Sequence, residues 1–188
     1  KDAGIHTPLV HCANSATLLK FHQSWFNMVR PGLALYGALP SPALKPYFTS
    51  LDGGEFRPVM QFKSRIIQIN NIPKGYYLSY GRKHMTQRDS LIATLPVGYA
   101  DGLTRRLSNK MHVLINGKRV PQVGTICMDM CLIDVTEIPD AQVGDEAVIF
   151  GRQKEATITV EEVAEQSGTL PYETLCAVSK RVPRIYLP

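Results

Sequence analysis

Four short segments of this chain collect the residue types that acid/base and anion-binding chemistry needs. In LPVGYADG (95–102) an apolar strand ends at Gly98-Tyr99 and leaves a phenol at its tip. A phenol with a reference pKa of about 10 is a poor base at neutral pH, so catalytic use requires nearby positive charge or hydrogen-bond donors. The alternative for Tyr99 is a half-buried ring with its hydroxyl in water. HCANSA (11–16) places Ser15 after one apolar run, and MVRPGLALYG (28–37) places Arg30, Gly32 and Leu33 after another. Backbone N–H groups exposed where a helix begins attract phosphate and other anions. Equally, Ser15 could be a helix cap, Arg30 half of an ion pair, and Arg30-Pro31-Gly32 a plain turn. TICMDM (125–130) contributes Cys127 and Met128 at the end of a further apolar strand, where both side chains could simply be core.

These groups need elements to hold them. Residues 8–13 read as a strand, Asn14-Ser15 as a turn and ATLLKF as a helix; 27–29 read as a second short strand, and LALYG after Gly32 is helix-like. Two successive units of this kind belong to a parallel sheet with helices outside it, and cannot close a sheet alone. Residues 38–55 contain Pro40, Pro42, Pro46, Gly53 and Gly54, a composition that disfavours regular structure and marks a linker. Beyond it the pattern becomes β. A long strand is predicted over 60–69, another over 91–97, and others over 126–135 and 146–150. A hairpin is expected with strands 113–115 and 118–123, because Asn116-Gly117 accepts the positive φ angles of a two-residue turn. Thr159 with Glu162 predicts a capping box for VEEVAEQS, Gly168 a C-cap, and Pro171 the first turn of YETLCAVS.

Composition narrows the function classes. The chain has 188 residues, 44% hydrophobic and 20% charged, ordinary for a soluble globular protein. No apolar run approaches the roughly 18 residues that span a bilayer, and KDAGIHTPL lacks the apolar core of a signal peptide. The net charge of +5 comes from scattered Lys and Arg without a basic stripe, which argues against nucleic acid and suits small anions. Cys12, Cys127, Cys131 and Cys176 form neither a C-x-x-C pair nor a zinc spacing, so four reduced thiols of a cytoplasmic protein are expected and no metal site.

Taken together and in this order, HCANSA, MVRPGLALYG, LPVGYADG and TICMDM resemble the pyridoxal-phosphate-dependent alanine racemases, from about His11 to the C-terminus. The resemblance implies a mainly β fold with α (α+β). Residues 1–45 would be the last two β/α units of an incomplete TIM-type barrel, and 46–188 a C-terminal β-rich, barrel-like domain. It implies that the Ser15 hydroxyl and the Gly32 and Leu33 amides hold the phosphate of pyridoxal 5'-phosphate, and that Arg30 faces the pyridine nitrogen. Always charged, Arg30 would leave that nitrogen unprotonated and steer the reaction away from transamination. Tyr99 would be the acid/base on one face of an amino-acid substrate, delivered across a homodimer, and the Met128 N–H, beside Cys127, would receive the substrate carboxylate. His11 would support the cofactor pocket.

The chain also departs from the family pattern. Lys180 stands in SKRVPR where a tyrosine is frequent, and Thr125 where an arginine is frequent. The lysine that binds the cofactor would lie before Lys1, so the chain is expected to be the C-terminal half of such an enzyme and inactive without the other half. A racemase for serine or another amino acid, or a non-catalytic dimerisation module, are the competing expectations.

Overall fold

The computed structural model describes residue 4, residues 6–48 and residues 56–187. The chain divides into two compact units, Lys1–Met60 and Gln61–Pro188, so the described residues 46–48 and 56–60 group with the first unit.

In the first unit, helix α1 (Ser15–Lys20) starts where Asn14 caps it, its Oδ1 accepting the Thr17 N–H at 3.0 Å. The strands expected over 8–13 and 27–29 do not form. The two segments run side by side, but the Asn27 side chain takes the groups a ladder would use, accepting from the Val10 N–H at 2.7 Å and donating to the Pro8 carbonyl at 2.9 Å. One main-chain bond remains there, Arg30 N–H to Ala13 O at 2.8 Å. LALY is a single 3-10 turn, Leu33–Tyr36, closed by Gly37 at φ 66°. A Cβ on Gly37 would sit 2.0 Å from the Arg57 carbonyl oxygen, so only glycine fits. The proline-rich stretch is less irregular than its composition suggests. Ser41 caps a 3-10 turn at Pro42–Leu44, which continues into helix α2 (Lys45–Phe48), since proline costs nothing in a first turn. The rest of the expected linker, 49–55, lies outside the described residues.

The second unit is an antiparallel sheet. Its strands are β1 (Phe62–Arg65), β2 (Gln68–Ile72), β5 (Ser90–Leu95), β6 (His112–Ile115), β7 (Lys118–Val123), β8 (Cys131–Asp134), β9 (Glu146–Gln153) and β10 (Ala156–Ile158); β3 (Tyr77–Leu78) and β4 (His84–Met85) form a separate pair. The order is β1-β9-β6-β7-β8-β5-β2, with β10 on β9. No ladder joins β1 to β2, so the sheet is open and not a closed barrel. Yet these two edge strands are separated only by Ile66-Ile67, whose amides bond the Asp145 and Thr94 carbonyls, both at 3.0 Å. Two residues span at most about 7 Å, so the sheet must curl until its edges nearly meet. The long strand expected over 60–69 is thus broken in the middle to serve both edges.

Val113, Leu114, Ile115, Ile133, Ala147 and Val148 are almost wholly buried and form the centre of the sheet's core. The β6–β7 hairpin turns on Asn116 (φ 52°) and Gly117 (φ 82°), as the sequence predicts. Helices α3 (Val160–Ser167) and α4 (Pro171–Ala177) also fall where expected. Only half of the α3 capping box forms: Thr159 Oγ1 accepts the Glu162 N–H at 3.2 Å, while the Glu162 carboxylate turns to Arg119, 2.6 Å away. TICMDM is not a strand end. It is a loop leading into β8, because its Cys127 and Met128 carbonyls are taken by the turn that carries Tyr99.

Candidate active site

Ser15 is buried and its Oγ is the hub of the first unit. It accepts the N–H groups of Gly32 at 3.0 Å and Ala34 at 3.1 Å. Two accepted bonds leave the hydroxyl proton free to donate outward. The Leu33 N–H, between those two amides, has no acceptor in the chain among the described residues, and a Cβ on Gly32 would meet nothing within 4 Å. The loop therefore presents a hydroxyl and one amide over open space. Gly32 spends its own amide on Ser15. Arg30 is exposed, its guanidinium 3.5 Å from the Cys12 carbonyl, and it has no carboxylate partner among the described residues. His11 is exposed.

In the second unit, Tyr99 opens a 3-10 turn, Tyr99–Asp101, with Pro96, Val97 and Gly98 between it and the end of β5. The turn is tied down on every side. The Tyr99 N–H bonds the Cys127 carbonyl and the Ala100 N–H the Met128 carbonyl, both at 3.0 Å. Asp101, 7% exposed, turns back to accept the Gly98 N–H at 2.8 Å. Gly102 has φ 105°, and a Cβ there would lie 2.4 Å from the Ala177 carbonyl oxygen. With the backbone fixed, the Tyr99 ring is 42% exposed and lines a cleft of about 550 Å³ together with Tyr80, Arg105, Thr125, Cys127 and Met128.

The Met128 N–H has no acceptor in the chain among the described residues and stands at this cleft. Its side chain is exposed, so the amide and not the thioether is the polar feature there. The Cys127 thiol sits 3.6 Å from Ser79 Oγ and 3.5 Å from the Thr125 carbonyl, in the cleft wall. Behind it Cys131 is buried, and that burial, with a smaller contribution from Cys127, pushes its thiol up to about 12. Thr125 is folded inward, its hydroxyl donating to the Tyr80 carbonyl at 2.8 Å, and Lys180 is exposed.

The structure thus brings Ser15, Gly32 and Leu33 into one loop and Tyr99, Cys127 and Met128 into one cleft. Sequence reasoning missed Arg105 and Tyr80 in that cleft, and Arg181, which bonds both Asp101 and Asp129 at 2.6 Å. A signal was available for Arg105, three residues beyond LPVGYADG, and for Arg181, inside SKRVPR, while Tyr80 lies in none of the recognised segments. No group of three or more His, Cys, Asp or Glu able to hold a metal occurs among the described residues.

The second unit thus displays a phenol beside an unpaired amide, and the first a serine-centred loop with one amide left over. Residues 59–186 match the family model for the alanine racemase C-terminal domain and residues 1–40 that for the alanine racemase N-terminal domain. The chain is 48% identical over 188 residues to the alanine racemase of Clostridium novyi, covering 100% of this chain and 47% of that one. It is 46% identical over 184 residues to alanine racemase 2 of Caldanaerobacter subterraneus subsp. tengcongensis, covering 98% and 46%. Among solved structures, the alanine racemase of Bacillus anthracis with bound L-Ala-P superposes with a TM-score of 0.90 at 38% identity, covering 100% of this chain and 47% of that one. The chain belongs to the alanine racemase family. It spans about half the length of the relatives it matches.

Proposed function

We propose that this chain forms part of a pyridoxal-5'-phosphate-dependent enzyme that interconverts L-alanine and D-alanine, with Tyr99 as one of its two acid/base groups. The observation that carries the reading is the exposed Tyr99 ring, on a turn with a fixed backbone, sharing a cleft with the unpaired Met128 N–H. When bound, the cofactor supplies an electron-withdrawing ring that acidifies the substrate Cα–H. The Ser15 hydroxyl and Leu33 N–H suit a phosphate oxygen, and the open face at Gly32 leaves room for it. Arg30, without a carboxylate partner among the described residues, is available to donate to the pyridine nitrogen. The Met128 N–H receives the substrate carboxylate, and the Tyr99 hydroxyl gives or takes the Cα proton on one face. Inversion needs a second base on the opposite face.

Tyr80, Tyr99, Met128 and Met130 are all well exposed around the cleft, which supports a homodimer in which Tyr99 serves the neighbour's substrate. Four free thiols support residence in a reducing cytoplasm. No helix among the described residues is long and apolar enough to cross a membrane.

The test combines this chain with a polypeptide carrying the remaining half of the Clostridium novyi alanine racemase and pyridoxal phosphate, and follows L-to-D conversion by chiral chromatography. Tyr99→Phe is expected to lower turnover by about 10²- to 10⁴-fold, the usual contribution of a positioned acid/base, while the cofactor's visible absorbance persists. Full activity in Tyr99→Phe would remove the phenol from the reaction.

A further inference from the structure

Arg181 is unusual among the ion pairs of the described residues because it holds two carboxylates at once, and those carboxylates belong to two of the loops that line the cleft. Its Nε donates to Asp101 Oδ1 at 2.6 Å and its Nη2 reaches Asp101 Oδ2 at 3.4 Å; the same Nη2 donates to Asp129 Oδ1 at 2.6 Å. Asp101 is the last residue of the Tyr99 turn, and its carboxylate also accepts the Gly98 N–H. Asp129 follows Met128. The guanidinium therefore closes a ring that already contains the Tyr99 to Cys127 and Ala100 to Met128 main-chain bonds.

The base of the Arg181 side chain is fixed as well. The Ser179 N–H donates to the Asp101 carbonyl at 3.1 Å, and Arg184 bonds the carbonyls of Val178, Ser179 and Val182. The segment after α4 is thus strapped along the turn, and Arg181 is delivered from a rigid support. A planar guanidinium suits this task, since its several N–H groups point in fixed directions toward both partners, whereas an ammonium is a single point of charge.

Resting on the reading of Tyr99 as an acid/base, we propose that Arg181 is a positioning residue that locks the Tyr99 turn and the Met128-Asp129 loop into one body and so sets the phenol relative to the carboxylate-binding amide. Arg181 touches neither substrate nor reacting proton; it acts through Asp101 and Asp129. Because a misplacement of about 1 Å costs around 100-fold in rate, the clamp acts on turnover more than on binding.

Two measurements test it, with Arg181→Met as the probe and Arg119→Met as an ion-pair control on β7. Residue-resolved hydrogen exchange on this full chain is expected to show the Tyr99 and Ala100 amides losing about tenfold or more of their protection in Arg181→Met, with the β6 amides within twofold of wild type. Arg119→Met should leave Tyr99 and Ala100 unchanged. Unchanged protection at Tyr99, or an equal loss across the whole domain, would overturn the proposal without any reference to activity. In the reconstituted enzyme, Arg181→Met should lower kcat about 100-fold with KM within about threefold, and Arg181→Lys should recover part of kcat. An unchanged kcat, or a loss confined to KM, would also overturn it. If Tyr99→Phe itself remains fully active, the reading of Tyr99 fails instead, and the exchange result still decides whether the clamp exists.

Discussion

Gly98 is the position where a single methyl group tests the architecture of the cleft. Its φ of −149° is extended backbone open to any residue, so the demand for glycine there is steric and not conformational. A Cβ would lie 2.3 Å from the Cys127 carbonyl oxygen, 2.4 Å from that of Met128 and 2.5 Å from the Met128 carbonyl carbon. Ordinary contact begins near 3.4 Å, so Gly98→Ala must push the Tyr99 turn and the 127–128 loop apart by about 1 Å. All three obstructing atoms are backbone and cannot rotate away. The displacement stretches the two bonds at 3.0 Å that join the loops. Overpacking of this kind costs about 1–3 kcal/mol, and the weakened hydrogen bonds about 1 kcal/mol each. A total of about 3 kcal/mol lowers the melting temperature by roughly 6–12 °C for a chain of this size. Differential scanning calorimetry reads that shift, and the reconstituted enzyme should lose about 100-fold in kcat from the displaced phenol. A melting temperature within a degree of wild type would refute the close approach of these two loops.

Two further expectations follow from single side chains. Burial raises the Cys131 thiol from 9.0 to about 12, so the folded state retains a proton that the unfolded state releases above pH 9. Stability is therefore fully present below pH 9 and falls between pH 9 and about 12, by about 1.4 kcal/mol per pH unit relative to Cys131→Ala, whose slope in urea titrations at pH 9–11 lacks this contribution; parallel slopes for the two proteins would contradict the burial. Arg119 pairs with Glu162 at 2.6 Å and also bonds the Thr157 carbonyl, joining β7 to the start of α3, but its side chain is 44% exposed. Arg119→Met should cost no more than about 1 kcal/mol by urea unfolding, and a loss of several would mean that the pair is far better shielded than its exposure implies.

What could be read in the sequence was local. The β6–β7 hairpin follows from Asn116-Gly117, whose two positive φ angles are a property of two adjacent residues. The start of α3 at Thr159, its end at Gly168 and the start of α4 at Pro171 are similarly short-range. The strand predictions failed where a distant partner decides. Periodicity over 60–69 cannot reveal that Ile66 and Ile67 bond opposite edges of a curled sheet, and the apolar run before Cys131 cannot announce that carbonyls 127 and 128 are claimed by residues 99 and 100. In the first unit, apolar runs at 8–13 and 27–29 suggested strands, but Asn27 substitutes side-chain bonds for the ladder.

The same distinction explains why the Tyr99 motif is legible and its clamp is not. Three letters of G-Y-A-D-G each answer a constraint within a few residues or a steric limit on the backbone. Gly98 leaves room for two carbonyls, Asp101 caps the Gly98 amide three residues back, and Gly102 takes a φ that side chains resist while passing the Ala177 carbonyl. Arg181 carries no such local signature, because its carboxylates lie 80 and 52 residues earlier in the chain. The groups assigned to the substrate and the phosphate oxygen are largely backbone amides and a single hydroxyl, so the cleft places few demands on neighbouring side chains. Thr125 and Lys180 can therefore differ from the common pattern without disturbing how Tyr99 is held: Thr125 bonds the Tyr80 carbonyl, Lys180 is exposed, and neither takes part in the bonds that fix the turn.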